Sequence, residues 1–318
     1  MKEIVFPEKS QATLQTAPSD LPELQSNEVT IQTVGCGICQ VEIKSYRGLL
    51  DESYPKQRLG HESVGHVTRV GSNVTAFKEG DFVTTLWAPG FQEYFNVRSD
   101  WAVALDPLCA LSGEKWISEP AACALNGLIS ANPQPADRIL LLGSGYMGLL
   151  LTQIFRRSPC AEFVVSDYVE HKLELAKSLG ATHTHNPSKQ ALSDHIAESG
   201  PYDIVIEATG AAGMISQAVN CCRMGGKVVV FADHRHHNQE TVNWAPYMGK
   251  APQILICNPG SHSDFPGIWR KSVELLKAGV FDQSNLITHK WPTTRCAEGM
   301  TVTAKPPEGF IKGYFYWE

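Results

Sequence analysis

The sequence predicts an α/β protein in which a β-rich, barrel-like section is joined to a doubly wound parallel sheet. Short strand-like segments, alternating in polarity and divided by turn residues, fill residues 1 to about 125. From about residue 137 mostly apolar strands alternate with helical segments, the pattern of a parallel sheet covered on both faces. A glycine-rich run, Gly143-Ser144-Gly145-Tyr146-Met147-Gly148, falls where the first of those strands turns into its helix.

Taken in order, Glu28 to Val34 alternates and is rich in β-branched residues, as a half-buried strand should be. His66 to Val70 and Asp81 to Leu86 repeat the pattern, with turns at Gly71-Ser72-Asn73 and Lys78-Glu79-Gly80-Asp81. Arg138 to Leu142 is an apolar strand, followed by a helix from Leu149 to Phe155. Phe163 to Asp167 is the next strand, and the charged helix Glu170 to Leu179 stops at Gly180. Asp203 to Glu207 and Lys227 to Phe231 are further strands. Trp269 to Ala278 is an amphipathic helix closed by Gly279, and the last thirty or so residues return to short strands. His183 and His185 read as surface residues on a strand.

Composition limits the function. The 318 residues suggest about two domains, and 43% hydrophobic with 19% charged content is globular. A formal charge of −6 gives no basic face for nucleic acid. No apolar run approaches the roughly twenty residues of a membrane span, and the opening residues lack a signal-peptide pattern. The expectation is a cytoplasmic protein with no membrane or nucleic-acid partner. Nine scattered cysteines make no disulfide framework.

The glycine run has the context that gives it meaning. Gly143 permits a tight turn, Gly145 lets a pyrophosphate approach the backbone, and Gly148 lets helix and strand pack closely. The loop, Tyr146 and Met147 included, leads into the helix that starts at Leu149, whose N-terminal N–H groups attract phosphate. Asp167, about twenty residues on, is placed to accept adenosine ribose hydroxyls and disfavours a 2′-phosphate, so NAD is expected; the alternative is a helix cap. Thr209, in Glu207-Ala208-Thr209-Gly210, ends a strand where cofactors bind, or is simply a turn residue.

A second constellation lies earlier. Cys39 closes Gly35-Cys36-Gly37-Ile38-Cys39, and Gly60-His61-Glu62 follows some twenty residues later. Thiolate and imidazole suit zinc. Cys36 and Cys39 also form a CxxC, readable as a redox pair or half a structural zinc site, although no second CxxC completes one. The run His234-Arg235-His236-His237 reads as a polar loop, a metal site, or a contact to substrate or cofactor.

Together these motifs resemble the zinc-dependent medium-chain alcohol dehydrogenases, most closely the polyol (sorbitol-type) branch, over essentially the whole chain. The resemblance implies a GroES-like catalytic domain at 1–125, completed by 288–318, and a Rossmann NAD-binding domain at 126–287. It implies one catalytic zinc held by Cys39, His61 and Glu119 of Ser118-Glu119-Pro120, with Glu62 either a direct ligand or a neighbour that steers one. It places Lys312 near the pyrophosphate. The expected reaction is hydride transfer between NAD and a secondary alcohol (a polyol, cyclitol or hydroxylated metabolite) by a homodimer or homotetramer. Two departures stand out: Val41 occupies the place of the usual proton-relaying Ser or Thr, leaving Ser45, Tyr46, Glu62 or water, and the four-cysteine structural-zinc lobe is absent. A zinc-free quinone or enone reductase and a non-catalytic nucleotide-binding protein are the alternative readings, the latter favoured by Val41. Tyr46, Trp87, Phe91 and Trp269 are candidate pocket aromatics or core.

Overall fold

A two-stranded antiparallel ribbon, β1 (Lys2–Val5) and β2 (Thr13–Thr16), precedes the longest strand, β3 (Glu28–Gly37), and the short helix α1 (Gln40–Tyr46). Then come β4 (Ser63–Val70), β5 (Phe82–Thr85), β6 (Tyr94–Arg98), β7 (Ala102–Ala104) and helix α2 (Glu119–Ala131). The parallel section contains β8 (Arg138–Leu142), α3 (Tyr146–Phe155), β9 (Glu162–Ser166), α4 (Glu170–Leu179), β10 (His183–His185), α5 (Leu192–Ser199) and β11 (Tyr202–Glu207). It continues through α6 (Met214–Cys221), β12 (Cys222–Val230), α7 (Trp244–Lys250), β13 (Gln253–Ile256) and α8 (Phe265–Lys277). The chain finishes with β14 (Ile287–Pro292), α9 (Cys296–Ala304) and β15 (Lys312–Tyr316). This computed structural model describes residues 1–17, 21–50, 59–234 and 241–318.

The chain forms two compact units: Met1–Ala122 with Trp269–Glu318, and Cys123–Ile268. In the first, the strand order is β14-β15-β3-β4-β5-β7, with β6 also paired to β3. The last strand, β15, joins β3 antiparallel, so the tail completes this sheet. Strand β3 runs on to Gly37, past the expected end at Val34, because Gly35, Cys36 and Gly37 pair with β15. One face packs Val29, Ile31, Val67, Val83 and Phe95 into a core, and Cys36, Ile43, Phe91, Trp291 and Phe315 form another.

The second unit is a six-stranded parallel sheet of order β10-β9-β8-β11-β12-β13. Residues 139–142 of β8 are almost wholly buried, as expected for a central strand covered on both faces. The order reverses between β8 and β11, and in such sheets ligands bind outside the strand carboxyl ends at that point. Helix α3 starts at Tyr146, earlier than the expected Leu149, because Gly145 is its N-cap. Gly180 ends α4 in the left-handed conformation, φ 118°, as its sequence suggested.

His185 departs from its surface reading. His183 is exposed, but His185 is buried, donating to or accepting from Ser166 Oγ at 3.0 Å and lying 4.5 Å, ring to ring, from His195 of α5. Alternation along β10 turns one imidazole outward and the next inward. Tyr46, Phe91 and Trp269 are likewise core residues, 5%, 1% and 0% exposed, so they do not line an open pocket. Trp87 alone of that group is partly exposed, at a left-handed φ of 53° and edge-on to Trp101.

Candidate functional site

In the first unit, Cys39 sits at the start of α1 and Glu42 three residues on, within the first turn. That spacing turns the Glu42 carboxylate back over the helix start, where its Oε2 accepts the Cys39 N–H at 2.8 Å. Its Oε1 accepts the Gly60 N–H at 3.1 Å and meets His61 Nδ1 at 2.9 Å. A carboxylate on Nδ1 fixes that nitrogen as a donor and leaves Nε2 as the atom that a metal ion would take in place of a proton. Gly60 holds φ 87°, and a Cβ there would lie 2.4 Å from Phe91 N, so only glycine permits this approach.

Two overlapping donor groups meet at His61: Cys39, Glu42 and His61, and His61, Glu62 and Glu119. In each, one ligand atom per residue lies within 4.8 Å of the others. Sulfur, imidazole nitrogen and carboxylate oxygen are zinc's usual donors, so the set fits that ion. Glu62 is 1% exposed and packs over Gly37, where a Cβ would come within 2.0 Å of its Oε2. Lys312, which the resemblance assigns to the pyrophosphate, is buried here and lies 2.8 and 2.6 Å from the two Glu62 oxygens. Its charge is engaged by that carboxylate because a buried carboxylate needs a cation.

Hydroxyl bonds brace the backbone on either side. Ser63 Oγ lies 2.6 Å from Thr85 Oγ1, and Ser118 Oγ lies 2.7 Å from both Thr84 Oγ1 and the Trp269 indole N–H. Gln283 donates to the Ile117 and Lys115 carbonyls. The residues adjoining Glu62 and Glu119 are thereby fixed. The Tyr46 hydroxyl is 3.2 Å from Thr301 Oγ1, which gives it a partner in α9.

Ionisation follows from this crowding. Burial pushes the Cys39 thiol up, with His61 pulling it back. Burial would also raise Glu42, but His61, the Gly60 N–H and Lys312 hold its carboxyl below the usual range. Burial opposes charge on His61 and on Lys312; Glu42 and Cys39 outweigh it at His61, Glu62 and Cys39 at Lys312, and both groups end above their ordinary values. The cluster is a set of mutually compensating charges rather than isolated ones.

In the second unit the glycine loop follows β8. Gly143 adopts φ 99°, and a Cβ at Gly148 would lie 2.1 Å from the Gly143 carbonyl oxygen. A Cβ at Gly145 would meet nothing within 4 Å, so space for a phosphate lies above it. Ser144 Oγ is buried without a hydrogen-bond partner, and the N-terminus of α3 begins beside it. These features suit a dinucleotide pyrophosphate. Asp167 holds the loop, accepting Ser144 N–H at 2.7 Å and Val169 N–H at 2.9 Å. Asp167 does not cap α4, whose N-cap is Val169; its carboxylate fixes the loop and the residue that precedes the helix. Of the histidine run, His234 bonds to Glu207 at 2.7 Å, while Arg235, His236 and His237 lie outside the described residues. Sequence reasoning missed the roles of Glu42 and His234; the i, i+3 spacing of Cys39 and Glu42 at a helix start was the available signal for the first.

Comparison with known proteins identifies the family. Residues 147–275 match the zinc-binding dehydrogenase family, and residues 25–107 the alcohol dehydrogenase GroES-like domain. The chain is 26% identical to D-arabinitol dehydrogenase 1 of Uromyces fabae, over 90% of this chain and 89% of that one. It is 24% identical to the sorbitol dehydrogenase of Bacillus subtilis, over 94% and 92%. Galactitol-1-phosphate dehydrogenase of Escherichia coli shares the fold at a TM-score of 0.82 and 20% identity, covering 99% of this chain and 100% of that one. The two matched families define a dehydrogenase class. The chain belongs to the zinc-type medium-chain alcohol dehydrogenase family, whose members use zinc and a nicotinamide dinucleotide. Among the described residues no helix is long and apolar enough to cross a membrane.

Proposed function

We propose that this chain oxidises a secondary alcohol of the polyol class with NAD, using one zinc ion held by Cys39, His61 and Glu119. The observation that carries the reading is the His61 imidazole, oriented by Glu42 and sharing ligand-atom distances with Cys39 on one side and Glu62 and Glu119 on the other. Zinc, when bound, polarises the alcohol or carbonyl oxygen, and NAD supplies the hydride acceptor. The residues do the rest. Glu42 keeps Nδ1 protonated and Nε2 available. Lys312 balances Glu62 and keeps that carboxylate clear of a second cation. The loop at 143–148 supplies backbone N–H groups, and Asp167, already anchored to Ser144, supports NAD over NADP by its charge. Polyols are favoured because the arabinitol and sorbitol enzymes are among the relatives.

A homodimer is part of the proposal. Strand β13 is the edge of the second unit's sheet and leaves Ile254 and Ile256 exposed, and Trp244 and Met248 of α7 are exposed as well. An exposed apolar edge invites pairing with a second copy. None of the nine cysteines forms a disulfide among the described residues, which suits a reducing cytoplasm.

The test is metal content and turnover together. Purified protein should carry about one zinc per chain and reduce NAD on a polyol panel. Cys39→Ser should lose the zinc and turnover while still binding NADH; turnover surviving in that variant rejects the mechanism.

A further inference from the structure

Glu207 ends β11 with its side chain fully buried, and the reaction described above makes no use of it. Its Oε1 accepts the Thr209 N–H at 2.7 Å, the Gly210 N–H at 3.0 Å and the Thr209 hydroxyl. Its Oε2 accepts the Nε2–H of His234 at 2.7 Å. Its main-chain oxygen accepts the N–H groups of Phe231 and Ala232, at 2.9 and 3.0 Å. One residue therefore ties the turn leaving β11 to the segment leaving β12.

These two segments form a continuous wall. Gly210, at φ 67°, lies so close to the second segment that a Cβ there would be 3.4 Å from Ala232 Cβ and 3.6 Å from Asp233 O. On its other side the turn abuts the glycine loop, since a Cβ on Gly143 would come within 2.9 Å of Thr209 Cγ2. Asp167 follows β9, on the opposite side of β8 from β11 and β12. If Asp167 marks the adenosine half of a dinucleotide lying across the strand ends, the wall tied by Glu207 faces the other half.

We propose that Glu207 and His234 form a latch that sets the crevice wall for the nicotinamide half of the cofactor, His234 acting as a positioning residue through Glu207. The inference rests on the NAD reading above. A fully buried carboxylate depends on its donors. Removing the imidazole leaves Oε2 short of a partner, and the 208–210 turn, the part of the wall against Gly143, then shifts to find one. The adenosine half, held elsewhere, should not notice.

The test measures binding of NADH and of AMP, the adenosine half alone, to the native chain and three variants. His234→Ala should weaken NADH by about tenfold or more and leave AMP within about twofold. His234→Gln, whose amide still donates to Glu207, should restore most of the NADH affinity. Glu207→Gln, nearly isosteric, guards against a variant that fails to fold; its NH2 group meets an imidazole that must switch tautomer to accept it, so it should show the same split as His234→Ala to a smaller extent. Equal weakening of NADH and AMP, or unchanged NADH binding in both His234→Ala and Glu207→Gln, overturns the latch. Absence of NADH binding in the native chain instead overturns the NAD reading, and the latch with it.

Discussion

The two units build their sites from opposite materials. The first gathers ionisable side chains, burying Glu42, His61, Glu62, Glu119 and Lys312 beside the half-buried Cys39. The second relies on backbone: three glycines, a helix start and one carboxylate that holds the loop. A second carboxylate, the fully buried Glu207, stands behind the crevice wall and ties the wall together. The contrast teaches that the first site is sensitive to charge and the second to shape. A site meant to hold a cation can pack carboxylates only if it also neutralises them in the ion's absence, which Lys312 does for Glu62. A site for phosphates needs bare N–H groups and room, which side chains would only obstruct.

The largest expected effect breaks the charge balance. Lys312→Met leaves Glu62 buried without its cation and should cost about 3–5 kcal/mol in urea unfolding. Adding Glu62→Gln should recover most of that loss; a single variant of native stability would show that the first site does not depend on charge pairing. Next comes shape. Gly148→Ala drives a Cβ to 2.1 Å from the Gly143 oxygen, so the backbone must move, with a cost of about 1–3 kcal/mol and weaker NADH binding. Zinc content should stay native, and a fall in zinc content would contradict the division of labour.

The smallest effect concerns protons. Burial depresses the His185 imidazole, with its ring neighbour His195 adding repulsion, and burial likewise depresses His195. The unfolded chain therefore takes up protons first as pH falls. The stability these neutral rings allow is complete above the ordinary histidine value of about 6.5 and declines as pH drops through it, levelling off below the folded values. Urea midpoints at pH 7.5 and about 5.5 should differ less in a His185→Gln variant than in the native chain. An equal difference in both would remove the pair from the account.

Much of the architecture was legible in the sequence because it rests on periodicity. The apolar β8 run, the alternating β3 segment and the Gly180 stop signal each carry their structure locally. Cys39, His61 and Glu119 were legible only as members of a family pattern, since sequence neighbours do not reveal that one carboxylate joins residue 39 to residue 61. The Lys312 contact with Glu62 was not legible, because a basic residue near the end of the chain does not show which acid it will meet; β15 delivers it there. His185 was misplaced because a three-residue edge strand gives too little alternation to show which imidazole turns inward. Tyr46, Phe91 and Trp269 illustrate the common fate of large aromatic residues, which fill cores before they line pockets.

Glu42 has a consequence for how such a centre is assembled. By gathering the Cys39 amide, the Gly60 amide and the His61 ring, it shapes the socket before any metal arrives. Capture of an ion then demands little reordering of the chain, so chelation should empty this centre and leave its walls standing, ready to be refilled.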